Sequence, residues 1–252
     1  MNRRNKFGDI RRQAHIALVV ARKDVMIYFL KAPVIIFGVI FPVFFFLAFA
    51  VGRSVPFGLM VPGMLAMALF FTSSAVGPLV TPWERQAKTY ERLVTSPASA
   101  GAILVGDILA GAAFGVIFSV VPLTFGIAVV GYQVCAPCEL LIGIVLGAAA
   151  FSSLGVLLAA PATEAPSQIM MLSNLVRLPL IFVSGIFVPI GRMPVWGRWL
   201  AILSPLSYCT DIIRGSFGEA NYFPVWLDIA ALIVFPAVFF TLARFFHLRS
   251  RK

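Results

Sequence analysis

The sequence predicts an all-α integral membrane protein with six transmembrane helices, and three observations carry that reading. The chain of 252 residues is 60% hydrophobic and only 12% charged, whereas a soluble globular domain carries about 25% charged residues. Six apolar stretches are each long enough to cross a bilayer core of ~30 Å, which takes roughly 20 residues of helix. Lys and Arg gather on one side of those stretches, the asymmetry that sets orientation in a membrane. With a mean hydropathy of +0.97, the chain has too little polar surface to cover a water-facing globule. Its size suits one transmembrane domain over 1–252.

The elements follow in chain order. Residues 1–32 are a cytoplasmic or interfacial segment, in which 9–30 reads as a helix. There Arg11, Arg12, His15, Arg22 and Lys23 fall within an arc of roughly 120°, interrupted by Val19 and Met26. This segment is either an amphipathic helix on the inner membrane surface or simply a basic flank. The six spans are predicted at 33–51, 57–80, 102–132, 140–160, 166–190 and 223–243, within a membrane body of 33–246. A basic tail, 247–252, closes the chain. The stretch 191–221 carries Pro194, Pro205, Trp196 and Trp199 among short apolar runs, which suits re-entrant or interfacial helices better than a crossing. A triplet Ala48-Phe49-Ala50 resembles a signal-peptidase site. The apolar run before it is longer than a signal peptide's, so an uncleaved first span is expected.

Orientation comes from the cations. Arg3, Arg4, Lys6, Arg11, Arg12, Arg22, Lys23, Lys31, Arg85, Lys88, Arg92, Arg244, Arg249, Arg251 and Lys252 fall on one side, against Arg53, Arg192, Arg198 and Arg214 on the other. The basic side is cytoplasmic, with both termini inside. The net charge of +10 thus faces an anionic leaflet, and nucleic acid is not the expected partner. The expected location is the cell (inner) membrane.

Several motifs invite chemistry. The loop from Thr81 to Leu93 is rich in charge, with Pro82 suited to a first helical turn and Glu84 four residues before Lys88. It reads as a short cytoplasmic docking helix or as a solvated loop helix. Gly111 with Gly115, and Gly143 with Gly147, form GxxxG pairs that let helices approach closely, most simply within one chain. Arg177 stands inside the fifth span, a costly place for a cation unless it faces protein or water. Asp107 and Glu164 are its candidate partners, and its role is either substrate path and gating or a structural ion pair. Cys135-Ala136-Pro137-Cys138 has no second CxxC or nearby His to complete a metal site; a structural loop, with or without a local disulfide, is expected. No phosphate-binding GxxxxGK[ST], HExxH or GxSxG occurs, so no catalytic residue and no metal or cofactor bound by this chain are predicted.

Two stretches resemble type-2 ABC export permeases. One is Trp83-Glu84-Arg85 through Thr89-Tyr90-Glu91-Arg92-Leu93, then Thr95-Ser96-Pro97, with Lys88 where the family often has Gly. The other is Ser184-Gly185-Ile186-Phe187-Val188-Pro189, Met193-Pro194, Leu203-Ser204-Pro205-Leu206-Ser207-Tyr208 and Asp211-x-x-Arg214-Gly215. The resemblance implies a half-transporter that pairs with a second permease copy or close homologue. It also implies two separate cytoplasmic ABC ATPase subunits, which hold the ATP and Mg. It makes Trp83, Glu84, Arg85, Lys88, Thr89, Glu91, Arg92 and Glu164 the contacts to the ATPase. Asn174 and Arg177 would then line a substrate path, and Pro189, Pro194, Pro205 and Tyr208 would belong to an outer gate of paired short helices. The expected function is export of an amphipathic, drug-like, lipid-linked or polysaccharide substrate by alternating access. The alternative is an ion-coupled secondary transporter or channel with no ATPase partner. Inverted repeats and midplane carboxylates would favour that alternative, and no repeat is evident.

Overall fold

The computed structural model describes residues 3–28, 35–36, 40, 43–44, 60–87, 98–128, 131, 133–160 and 165–249. Nearly all of the first predicted span lies outside these, as do Lys88, Thr89, Glu91, Arg92 and Glu164. Among the described residues there are eight α-helices and no strand. They are α1 (Arg3–Tyr28), α2 (Val61–Gln86), α3 (Ala100–Ala128), α4 (Pro137–Leu158), α5 (Pro166–Val183), α6 (Val195–Ile202), α7 (Pro205–Ser216) and α8 (Val225–Arg249). Five of them, α2, α3, α4, α5 and α8, are long and apolar enough to cross a membrane.

The axis of the bundle is α2. Every residue from Val61 to Pro82 is buried, as befits a helix apolar or small on all sides, and α3, α4, α5 and α7 pack around it. Phe70 meets Phe151 of α4 edge to face, with ring centroids 5.0 Å apart. Where α2 crosses α4 the backbones touch: a Cβ added at Gly77 would lie 2.6 Å from the Gly155 carbonyl carbon. Lipid supplies no hydrophobic drive between helices, so close backbone approach of this kind provides the attraction. Both GxxxG pairs serve packing within the chain. Gly111 and Gly115 receive Ser73 of α2, while Gly143 and Gly147 receive Ile212 and Cys209 of α7.

Local chemistry sets the helix boundaries. Pro137, Pro166 and Pro205 sit in first turns, where their missing N–H matters least. The Ser99 hydroxyl caps α3 by accepting the Ala102 N–H at 3.1 Å, and the Ser99 N–H donates to Gln13 Oε1 of α1 at 3.0 Å. At the opposite end of the bundle, the Cys135 and Ala136 N–H groups donate to the Ser216 carbonyl at 2.9 and 3.0 Å, pinning the loop before α4 to the end of α7. The thiols of Cys135 and Cys138 are free and exposed.

Two boundaries differ from expectation. The fifth helix stops at Val183 rather than running to residue 190, because the chain turns through Gly185 at φ +83°, a conformation that side chains disfavour. The second helix does not end near Val80 with a new helix starting at Pro82. It continues through both Pro78 and Pro82 to Gln86, so Trp83, Glu84 and Arg85 are its last turn. Proline interrupts a helix by removing one N–H and crowding the carbonyl four residues back; packing on α3, α4 and α5 holds this helix together past both.

Candidate functional site

The end of the bundle that the cation count assigns to the cytoplasm carries a buried charge cluster. One stripe of α1, Ala17, Val20 and Asp24, is buried against α3. Val20 fills the notch at Gly106, where an added Cβ would come within 2.7 Å of it. That seating brings the neighbouring Lys23 to the end of α2. Its Nζ pairs with the Glu84 carboxylate and lies 3.0 Å from Asp24 Oδ1. The Asp24 carboxyl in turn is within hydrogen-bonding reach of Asp107 on α3. Two ionised carboxylates at that range repel, which favours a proton on one of them. Burial lifts Asp24 above the usual carboxylate range while Lys23 pulls the other way. Burial also opposes the charge on Lys23, but Asp24 and Glu84 together hold its ammonium above the ordinary lysine value.

The expected ATPase contacts are therefore sorted by the fold. Trp83 is 50% exposed and projects from the last turn of α2, and Arg85 is half-buried. Glu84 is buried and turned to α1 rather than outward. Lys23, Asp24 and Asp107 join it, a grouping that no motif in the sequence announces. Asp107 alone carries a signal, as an acid within a span.

Arg177 does not pair with Asp107, which faces α1. Among the described residues Arg177 has no ion pair, and its guanidinium donates instead to the Ser74 carbonyl of α2. Only Ile169, Ser173, Arg177 and Ile181 are buried on α5, a stripe one residue wide. Asn174 is half-buried beside it. The remainder of α5 shows apolar side chains, among them Met171, Leu175 and Phe182, each more than half exposed.

The residues expected at an outer gate lie at the other end of the bundle. Pro189 precedes the turn Ile190–Arg192, Pro194 precedes α6, and Pro205 opens α7. At eight and twelve residues, α6 and α7 are too short to cross a bilayer. The Tyr208 hydroxyl donates to the Ile202 carbonyl at 2.9 Å, tying α7 to α6, and its ring stacks on Phe223 at 4.9 Å. Asp211 accepts the Tyr222 N–H at 2.9 and 3.0 Å and the Phe223 N–H at 2.8 Å. Arg214 pairs with Glu219 at 2.7 Å and donates to the Ile186 carbonyl at 3.0 Å. Asp211, Arg214, Glu219 and Tyr222 border a cavity of about 320 Å³ that also takes in Arg192 and Asn221.

Comparison with known proteins meets this geometry. The inner membrane transport permease YadH of Escherichia coli (strain K12) is 24% identical over 180 residues, covering 71% of this chain and 70% of that protein. Nodulation protein J of Rhizobium leguminosarum bv. viciae is 27% identical over 161 residues, covering 60% of this chain and 58% of its own length. The family model of the ABC-2 type transporter matches residues 18–217, a stretch that runs from α1 past the end of α7. This multi-pass helical membrane protein belongs to the ABC-2 type transporter family, the type-2 ABC permeases.

Proposed function

We propose that the chain is the membrane subunit of an ATP-driven exporter that moves an amphipathic, drug-like, lipid-linked or polysaccharide substrate out of the cytoplasm by alternating access. Two separate cytoplasmic ABC ATPase subunits supply ATP hydrolysis, with ATP and Mg bound on them. The observation that carries this reading is the joined inner end. Through Lys23 and Glu84, α1 and α2 form one unit from which Trp83 projects into the open. A push on that corner moves the central helix, and a ligand-driven change in a partner shifts a conformational equilibrium only through contacts that differ between its states. Lys88, Thr89, Glu91, Arg92 and Glu164, the other contacts in this reading, lie outside the described residues.

A second permease copy, or a close homologue, covers the apolar face of α5. Met171, Leu175 and Phe182 there are more exposed than a core helix leaves them. The substrate path then runs between facing fifth helices past Asn174, with Arg177 behind it. The short helices α6 and α7 dip from the outer surface and close the exit at Pro189, Pro194, Pro205 and Tyr208. Both termini lie in the cytoplasm of an inner-membrane protein.

The test is Trp83→Ala together with Arg92→Ala, in membranes that also contain the ATPase subunit. The expected result is loss of ATPase co-purification and of substrate-stimulated hydrolysis, while the chain still inserts at normal abundance. Undiminished co-purification and transport would remove this surface as the coupling site.

A further inference from the structure

We propose that Arg177 stands in for a missing backbone donor: its guanidinium caps the Ser74 carbonyl that Pro78 leaves without its helical partner, and so fastens α5 to the Pro78 turn of α2. In an α-helix the carbonyl of residue i bonds the N–H of residue i+4. For Ser74 that residue is Pro78, which has no N–H to give. A carbonyl so freed inside a bilayer must be satisfied by a neighbouring group. The group found there is Arg177.

Three further observations converge on the same turn. The Ser74 hydroxyl donates back to the Phe70 carbonyl at 2.5 Å, and the Thr72 hydroxyl to the Ala68 carbonyl at 2.6 Å; such back-bonds bend helices. Gly155 of α4 lies against the same peptide, where an added Cβ would meet the Ser74 carbonyl oxygen itself, so a residue without a side chain leaves the freed carbonyl its room. Arg177 itself is 3% exposed and has no carboxylate partner among the described residues. Its placement is thus explained by the acceptor rather than by a counter-ion. Because α5 buries a single stripe of four residues, this bond is one of few that fix its position. Movement of α2 at this turn therefore carries α5 with it.

The cap deepens the export reading by giving Arg177 its role, yet its test does not depend on transport. The measurement is thermal unfolding of the full-length chain in nanodiscs, as a double-mutant cycle between Arg177→Met and Pro78→Ala. Alanine in place of Pro78 restores the N–H and satisfies Ser74 within α2. With Pro78 present, Arg177→Met is expected to lower the midpoint by roughly 5 °C, from the loss of one buried charge-assisted bond. In the Pro78→Ala background the same change is expected to lower it by less than half as much. Arg177→Lys, which keeps a donor of similar reach, is expected to recover part of the loss while Pro78 is retained. Equal shifts in both backgrounds overturn the cap, as does an Arg177→Met chain no less stable than the parent. If the Pro78→Ala chain does not accumulate, the comparison of Arg177→Lys with Arg177→Met decides, and equal loss by both overturns the proposal. Failure of export in a chain that passes this cycle would count against the transport reading alone.

Discussion

Asp211 at one end of the bundle and Asp24 at the other are held in opposite ways. At the outer end Asp211 collects three backbone N–H contacts from Tyr222 and Phe223, and Arg214 splits its donors between Glu219 and a carbonyl. Asp211 and Glu219 there have donors aimed at them, whereas Asp228, buried near Asp211, has no hydrogen-bond partner among the described residues. At the inner end Asp24, Glu84 and Asp107 gather around Lys23, and two of these acids face each other. The outer arrangement is a staple that holds one geometry. The inner one is a junction in which Lys23 faces Asp24 and Glu84 while Asp24 also faces a second acid.

The largest way to break this contrast is Lys23→Met. Removing one partner of a buried ionic cluster leaves its charges uncompensated, at a cost of about 3–5 kcal/mol. The expected result is detachment of α1, read as new protease cleavage within 3–28 while α2–α8 stay protected. Asp211→Ala comes next, at about 3 kcal/mol, because two N–H groups lose their acceptor inside the protein. It should lower the unfolding midpoint and loosen the 219–223 loop without freeing α1. Loss of α1 protection in that variant would show that the two ends are not separate.

Asp24→Asn should act in the other direction. The amide supplies the donor that the Asp24–Asp107 contact lacks, and a gain of about 1 kcal/mol in α1 docking is expected. The pH dependence has the matching sign. An acid whose folded pKa is raised binds its proton more tightly when docked. Docking is therefore favoured at acidic pH and weakens as pH climbs from the ordinary Asp value, about 3.9, through the raised one. The raised Lys23 contributes stability that persists through neutral pH and fades only in strongly alkaline solution. Protease protection of α1, followed from about pH 5 to 8, should fall in the parent and fall less in Asp24→Asn. A steeper fall in the variant would refute the shared proton. Smallest is Tyr208→Phe. It removes one hydrogen bond to Ile202 and keeps the ring stacked on Phe223, for about 1 kcal/mol. Hydrogen exchange in α6 is its readout.

Much of the architecture is legible in the sequence because lipid imposes simple rules. Four spans begin or end within a few residues of expectation, since run length and flanking charge decide them. The fifth is overestimated because Ile186, Phe187 and Val188 look spanning, while the single residue that ends the helix, Gly185, exerts its effect through φ rather than hydropathy. The boundary at Pro82 is misplaced for a related reason. Proline removes one hydrogen bond from a helix but does not end it where packing carries the helix onward, as α2 runs on to Gln86. The candidate sites are less legible. Lys23 and Glu84 are 61 positions apart, and Arg177 and Ser74 are 103 apart. Spacing within a helix cannot reveal such pairs. The freed carbonyl at Ser74 can be counted from Pro78 directly, but not which donor reaches it.

The glycine crossing of α2 over α4 has a mechanical consequence. With no side chains between Gly77 and Gly155, the crossing is a fulcrum, and α2 is a lever resting on it. At 1.5 Å per residue, the arm from Gly77 to Gln86 is about 14 Å and the arm back to Val61 about 24 Å. A displacement of about 1 Å at the Gln86 tip then swings the far tip by about 2 Å in the opposite sense. Geometry alone gives the outer end the larger stroke.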